Sequence, residues 1–131
     1  MIGLFITLGQ RLGVEKYYKY FEAFGFTERT GIDLANEAYS VVHKKDKMSK
    51  VDLASTSFGQ GFRISPIQLI TATCAIANGG NLMEPYLVGS IVDSEGNIVN
   101  ETEPTVKRKV ISEETEELLK KAIVEFKAVF K

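Results

Sequence analysis

Apolar positions in the first quarter of the chain recur at helical spacing and predict two consecutive helices. The first helix covers residues 3–12, and Gly13 ends it. The second covers residues 14–24, and Gly25 is placed to cap it, because glycine accepts left-handed backbone at low cost. The apolar face of this second helix is mostly aromatic and is expected to be core: Val14, Tyr17, Tyr18, Phe21 and Phe24.

The clearest helix signal lies in the middle of the chain. Ser65 is a good N-cap, Pro66 occupies the first helical position, where its missing N–H costs nothing, and Asn78 with two glycines ends the helix. Apolar and small residues are spread widely around it and predict a buried helix: Ile67, Leu69, Ile70, Ala72, Cys74, Ile76 and Ala77.

After this helix the pattern changes from helical to extended. Tyr86–Val92 and Ile98–Val99 flank the turn sequence Asp93–Asn97 and predict a β-hairpin, and Val106–Ile111 predicts a further short strand. Ser112 caps a final helix whose predicted apolar face is Leu118, Leu119, Ala122, Ile123 and Phe126. Helices, then a hairpin, then a helix predict an α+β fold dominated by helix.

The connecting segments carry weaker signals. Residues 26–38 have turn chemistry, and His43–Lys50 is a basic stretch that we interpret as a solvated loop. Val51–Gly61 combines small hydroxyl residues with a Gly-Gln-Gly sequence and has no assigned secondary structure.

Composition excludes several classes of function. The 131 residues include 16 Lys and Arg against 17 Asp and Glu, so charge favours no nucleic acid partner. Cys74 is the only cysteine and His43 the only histidine, which excludes a disulfide within the chain and any metal site that needs several thiolates or two imidazoles. The sequence implies no metal or organic cofactor. No apolar run approaches the roughly 20 residues that span a bilayer, and Met1–Leu8 lacks a signal-peptide pattern, so a soluble chain is expected.

No complete catalytic motif is present. Neither Ser-x-x-Lys nor Ser-x-Asn occurs, and Arg29-Thr30-Gly31 only superficially resembles a Lys-Thr-Gly triplet. Ser40 and His43 are close in sequence, which does not establish the geometry of a nucleophile and its base. The acidic pairs Glu113/Glu114 and Glu116/Glu117 are interpreted as a solvated helix face.

The order of segments is more informative than any single motif. FITLGQRLG (5–13), YYKYFEAFGF (17–26), TGIDLANEA (30–38), DLASTSFGQGFRISPIQLITATCAIANGG (52–80) and LMEPYLV (82–88) follow one another along the chain. This succession resembles the class B penicillin-binding proteins, the peptidoglycan D,D-transpeptidases, in particular the sporulation and cell-division types. Two departures are Ala35-Asn36 where the family usually has Pro-Gly, and a tail at 125–131 without the expected Gly-rich exit.

The resemblance implies which part of a transpeptidase domain this chain would form and where the catalytic motifs would lie. Residues 1–131 would be a central fragment of the transpeptidase domain, between its second and third catalytic motifs: part of the serine β-lactamase-like fold, with a helical lobe, a β-hairpin and a following helix. All three catalytic motifs would lie outside, so the chain alone is expected to be inactive and to hold no catalytic residue. The expected contributors to the substrate groove are Ser57, Gly59, Gln60 and Gly61, with Gln60 either facing the cleft or capping backbone inside the lobe.

The implied partners follow from the complete parent domain. They are the peptidoglycan stem peptide, the β-lactams that mimic it, and the rest of the transpeptidase domain; the parent is expected to be anchored in the bacterial cell membrane with this domain outside the cytoplasm. A lobe without its sheet would expose apolar surface and could self-associate. Two alternatives stay open: a non-catalytic module that binds peptidoglycan or a partner enzyme, and an unrelated small enzyme that uses Ser40 and His43.

Overall fold

A computed structural model describes the backbone of residues 1–129 and the side chains of residues 1–125. Phe126 and most of the tail discussed above therefore lie outside the described side chains. The helices are α1 (Ile2–Ala23), α2 (Lys50–Ser57), α3 (Pro66–Ala77) and α4 (Glu113–Val129), with a 3₁₀ turn at Lys45–Lys47. The strands are β1 (Asn81–Met83), β2 (Ser90–Val92), β3 (Ile98–Glu101) and β4 (Val106–Lys109).

Helix α1 contains the two helices that the sequence predicts. Gly13 has a non-helical backbone (φ 76°, ψ 161°) and divides α1 into two halves. The second half ends in a Schellman motif, in which Gly25 N–H donates to Glu22 O and Phe26 N–H to Phe21 O. The rings of Phe21 and Phe26, 5.1 Å apart, make the apolar contact that accompanies this motif. The predicted helix ends are confirmed.

Helix α2 was not predicted from the sequence. It begins with a capping box, since Ser49 Oγ accepts from Asp52 N–H (3.1 Å) and Asp52 Oδ2 accepts from Ser49 N–H (2.8 Å). Three consecutive hydroxyls then donate to main-chain carbonyls four residues earlier: Ser55 to Val51, Thr56 to Asp52 and Ser57 to Leu53. These residues have weak helix propensity, so packing against α1 stabilises the helix.

Helix α3 has the predicted start and end but not the predicted burial. Its buried residues are Gln68, Ala72 and Ala75, which lie on one face. Leu69 and Ile70, by contrast, are 53% and 58% exposed. The prediction of a buried helix is wrong, because a helix that is apolar on nearly every side does not reveal which side meets the rest of the fold.

The strands form two separate antiparallel pairs. The predicted hairpin is confirmed as β2 and β3, which pair around the turn at 93–97, and every residue of both strands is exposed. The predicted strand at 106–111 is confirmed as β4, and it pairs with β1, which was not predicted. Leu82 of β1 is 2% exposed and joins the small apolar core: Tyr18, Leu53, Ala72, Ala75, Leu82 and Ile111.

Helix α4 begins as predicted, with Ser112 Oγ accepting from Thr115 N–H (3.2 Å). Its predicted apolar face is mostly wrong, since Leu118 and Ile123 are 60% and 57% exposed. Glu116, predicted to be solvated, is buried instead, and it accepts from Gly79 N–H (2.9 Å) at the end of α3. This bond gives a partly buried N–H its acceptor across the contact between α3 and α4.

No helix within the described residues combines the length and the apolar character that crossing a membrane requires.

Candidate functional site

The candidate site is the loop at residues 58–61, called here the groove loop, which directly follows α2. Two hydrogen bonds close the end of the helix: Gly59 N–H donates to Thr56 O (3.0 Å) and Gln60 N–H to Ser55 O (3.1 Å). This pair is a second Schellman motif. The loop is therefore tied to α2 by its backbone, and its conformation does not depend on the side chain of Gln60.

The two glycines give the groove loop its shape. Gly59 and Gly61 have φ values of 90° and 80°, in the region that other residues rarely adopt. A Cβ at Gly59 would meet no atom within 4 Å, so backbone conformation and not space requires glycine there. Gln60 lies between them with an exposed side chain, and none of the described residues forms a hydrogen bond with its carboxamide. Its role in a groove stays a prediction.

Ser57, the fourth predicted groove residue, contacts α1, and its role in a groove also stays a prediction. Its hydroxyl donates to Leu53 O (2.6 Å) and lies against Gly9 of α1, where an added Cβ would overlap Ser57 Oγ. Ser57 thus packs two helices together. The structure places the open face of the loop at Gly59, Gln60 and Gly61.

A short extended segment lies beside the groove loop. Val41 and Arg63 form an antiparallel bridge with both backbone hydrogen bonds, of 2.9 and 2.8 Å. His43 follows, with Nε2 3.9 Å from Asp52 Oδ1 and 3.4 Å from where a Cβ on Gly61 would stand. This bridge gives residues 41–43 and 61–63 a defined relative position.

Ser40 and His43 have different partners. Ser40 Oγ accepts from Gln68 Nε2 (2.6 Å), whereas His43 faces Asp52. Among the described residues no hydrogen bond joins the two side chains, so the structure does not bring them together as a nucleophile and base.

Arg108 of β4 was missed by sequence reasoning. Its Nε donates to Ala23 O (2.8 Å), and one terminal nitrogen donates to Glu22 O (3.0 Å) and Glu28 Oε1 (2.6 Å). The guanidinium therefore satisfies main-chain carbonyls at the C-terminal end of α1, where a cation is favourable. No local sequence signal reveals this contact, because the partners are more than 80 residues apart.

The turn at Arg29-Thr30-Gly31 binds a carboxylate of this same chain. Glu37 accepts from the N–H and hydroxyl of Thr30 (both 2.8 Å) and from Gly31 N–H (3.2 Å). Burial acts to raise the pKa of Glu37, but these hydrogen bonds together outweigh it, and the pKa lies below its ordinary value. This arrangement explains the triplet as a structural turn.

A second carboxylate holds the entry to the hairpin. Asp33 accepts from the N–H groups of Leu87 (2.7 Å) and Val88 (2.9 Å), and these two bonds lower the pKa of Asp33.

Within the described residues no cluster of three or more His, Cys, Asp or Glu side chains is arranged to hold a metal ion.

Comparison with known proteins assigns a family to this arrangement. The family model for the penicillin binding protein transpeptidase domain matches residues 4–128. Stage V sporulation protein D of Bacillus subtilis is 40% identical over 120 residues, which are 91% of this chain and 19% of that protein. Penicillin-binding protein PbpB of Mycobacterium tuberculosis is 30% identical over 118 residues, 90% of this chain and 17% of that protein. The chain thus spans about a fifth of the length of these relatives.

A solved structure gives the same result in three dimensions. Penicillin-binding protein 3 of Mycobacterium tuberculosis, crystallised in complex with aztreonam, superposes with a TM-score of 0.76 at 31% identity, over 86% of this chain and 25% of that one. The helix-rich fold described above is therefore part of the fold of such domains. Sequence and structure agree over nearly the whole chain, and the protein belongs to the penicillin-binding protein transpeptidase family.

Proposed function

We propose that this chain forms one side of the substrate cleft in a peptidoglycan D,D-transpeptidase domain. The single observation that carries the proposal is the match of residues 4–128 to the transpeptidase family, supported by the superposition on a relative that binds aztreonam. Because the chain spans only about a fifth of its relatives' length, the activity belongs to a longer protein. The substrate would be a peptidoglycan stem peptide, and β-lactams would be its mimics.

In such a domain the groove loop would bind and orient the peptide. Gly59 and Gly61 keep this backbone open to solvent, because neither carries a side chain that would shield it. The exposed carboxamide of Gln60 offers both a donor and an acceptor to a peptide main chain. The nucleophile would come from a Ser-x-x-Lys motif, which is absent from these 131 residues. The chain by itself is therefore predicted to be inactive.

A segment exchange tests this proposal. The 120 aligned residues would replace the matching segment of Bacillus subtilis stage V sporulation protein D, and the chimera would be treated with a fluorescent penicillin. We expect covalent labelling of the chimera and none of the isolated chain. A correctly folded chimera that is not labelled, or labelling of the isolated chain at a serine, would contradict the proposal.

Two variants of the chimera examine the groove loop. Gln60→Ala should slow acylation, because it removes the only carboxamide on the open face of the loop. Asn100→Ala is the matched control, since it removes an exposed carboxamide from β3 of the outlying hairpin. Equal acylation rates for the two variants would exclude a role for Gln60 in the groove.

A non-catalytic binding module is the second candidate, and the exposed apolar side chains favour it. Leu4, Leu8 and Leu12 of α1 are 57%, 50% and 40% exposed, and Leu69 and Ile70 of α3 are open as well. Such surface would promote self-association or binding to a partner. Light scattering across a concentration series and titration with muropeptides test this candidate. A monomer at all concentrations that binds no muropeptide would exclude it.

A further inference from the structure

We propose that Gln68 is a positioning residue that holds the C-terminal end of the groove loop in place through Ser40 and the Val41–Arg63 bridge. The contacts of Gln68 with Ser40 and the adjoining bridge carry this inference. It rests on the proposed function only for what the groove loop would bind.

Gln68 is the hub of a buried polar network. Its side chain is 2% exposed, although a carboxamide is costly to bury without partners. Oε1 accepts from the N–H (2.8 Å) and the hydroxyl (3.1 Å) of Ser65, which closes the capping box of α3. Nε2 donates to Glu28 O (2.7 Å) and Ser40 Oγ (2.6 Å), with Gly25 O at 3.2 Å. One side chain therefore joins three separate parts of the chain: residues 25–28, Ser40 and the start of α3.

Ser40 connects Gln68 to the backbone bridge that follows the groove loop. The next residue, Val41, is the one that pairs with Arg63 through both backbone hydrogen bonds. Arg63 comes two residues after Gly61, and Ser65 comes two residues after Arg63. Gln68 thus holds the bridge from both sides: Val41 through Ser40, and Arg63 through the start of α3. Only Phe62 separates Gly61, the last residue of the groove loop, from Arg63 of the bridge.

The chemistry requires an amide at position 68. A glutamate would keep the acceptor for Ser65 but would replace the donor with an oxygen that faces the carbonyls of Glu28 and Gly25. Those contacts would be repulsive within a buried site, so Gln68→Glu should lower stability as well as loop order. Ser40→Ala is the milder change, because Gln68 keeps Glu28 O and Ser65 as partners.

Hydrogen exchange on the full 131-residue chain tests the inference directly. The reporters are the amides of Val41 and Arg63, which exchange only when the bridge opens. Ser40→Ala should accelerate their exchange by at least ~10-fold. Ser40→Thr, which retains a hydroxyl, should exchange at close to the wild-type rate. Thr73→Ala is the matched control, since it removes one hydroxyl bond, to Leu69 O, on the exposed side of α3. Unchanged exchange in Ser40→Ala, or equal acceleration in Thr73→Ala, would overturn the inference.

Acylation of the chimera adds a measurement that a merely structural role would not change. At temperatures well below the unfolding midpoint, Ser40→Ala in the chimera should weaken β-lactam binding by roughly threefold or more. The acylation rate constant at saturating β-lactam should stay close to that of the unaltered chimera. Faster exchange combined with unchanged binding would support the role of Gln68 but exclude the groove loop from the cleft. A chimera that is not acylated even with the unaltered segment would instead count against the proposed function.

Discussion

Gly9 of α1 and Ser57 of α2 lie in direct contact, and this contact determines how closely the two helices approach. A Cβ at Gly9 would overlap Ser57 Oγ and would stand 2.8 Å from Ser57 Cβ, which is closer than Cβ atoms approach other heavy atoms in proteins. Ser57 cannot move away freely, because its hydroxyl is bonded to Leu53 O in its own helix. Ser57 therefore forms a helix–helix contact next to the groove loop, and its place in a groove stays a prediction.

Gly9→Ala should therefore destabilise the chain by about 1–3 kcal/mol, because the added methyl group forces α1 and α2 apart. Gly3→Ala is the control within the same helix, since a Cβ there meets no atom within 4 Å. That change should be neutral or should stabilise by up to about 1 kcal/mol. Urea unfolding followed by circular dichroism measures both. Equal midpoints for the two variants would show that the helices do not pack in this way.

Arg108→Met should destabilise the chain by about 1–3 kcal/mol, because it removes charge-assisted bonds to Ala23 O, Glu22 O and Glu28. Methionine retains most of the aliphatic stem, so the loss reports on the guanidinium. Arg11→Met, at an exposed position on α1, should stay within about 0.5 kcal/mol of wild type. Thermal unfolding compares the two, and an Arg108→Met midpoint as high as that of Arg11→Met would contradict the capping role.

Glu37 should make stability depend on acid pH. Because its pKa is lower in the folded chain than its ordinary value of 4.5, its contribution is complete above about pH 4.5. The contribution is then lost as the pH falls through the lower folded-state pKa. Glu37→Gln cannot titrate, so its stability deficit should be largest near neutral pH and should shrink in acid. Unfolding midpoints of both proteins from about pH 7 to pH 3 measure this.

The control for this series is Glu101→Gln, which removes an exposed carboxylate from β3. A Glu37→Gln deficit that stays constant from neutral to acid pH would contradict the assignment of Glu37 as a charged acceptor for Thr30 and Gly31.

Ser65→Ala should cost about 1 kcal/mol or somewhat more, because it removes the side-chain acceptor for Gln68 N–H at the start of α3 and one partner of the Gln68 carboxamide. Ser94→Ala, in the exposed turn of the hairpin, is the matched control and should be close to neutral. Denaturant unfolding distinguishes them. A neutral Ser65→Ala would show that the capping box contributes little to the stability of α3.

Local signals in the sequence predicted much of the fold. The break at Gly13, the cap at Gly25 and the turn of the hairpin at Gly96 depend on backbone conformations that glycine adopts at low cost, and the cap at Ser65 depends on a hydroxyl that accepts from a main-chain N–H. The order of segments resembling the transpeptidases also predicted the family, which the comparisons confirm. These features depend on residues that are near one another in the chain, so they can be recognised without knowing what packs where.

The tertiary structure decided the rest. The C-terminal half of α2 has weak helix propensity, so the helix depends on packing against α1. Strand β1 forms because β4 pairs with it. Local periodicity also misassigned burial on α3 and α4, since an apolar residue is buried only if another element covers its face. The network around Gln68 joins positions as far as 43 residues apart, and no local pattern encodes such a contact. Sequence thus determined the ends of α1 and α3, the start of α4 and the turn of the hairpin, because short-range backbone and capping preferences decide them. Long-range packing determined that α2 and β1 form and which side chains are buried.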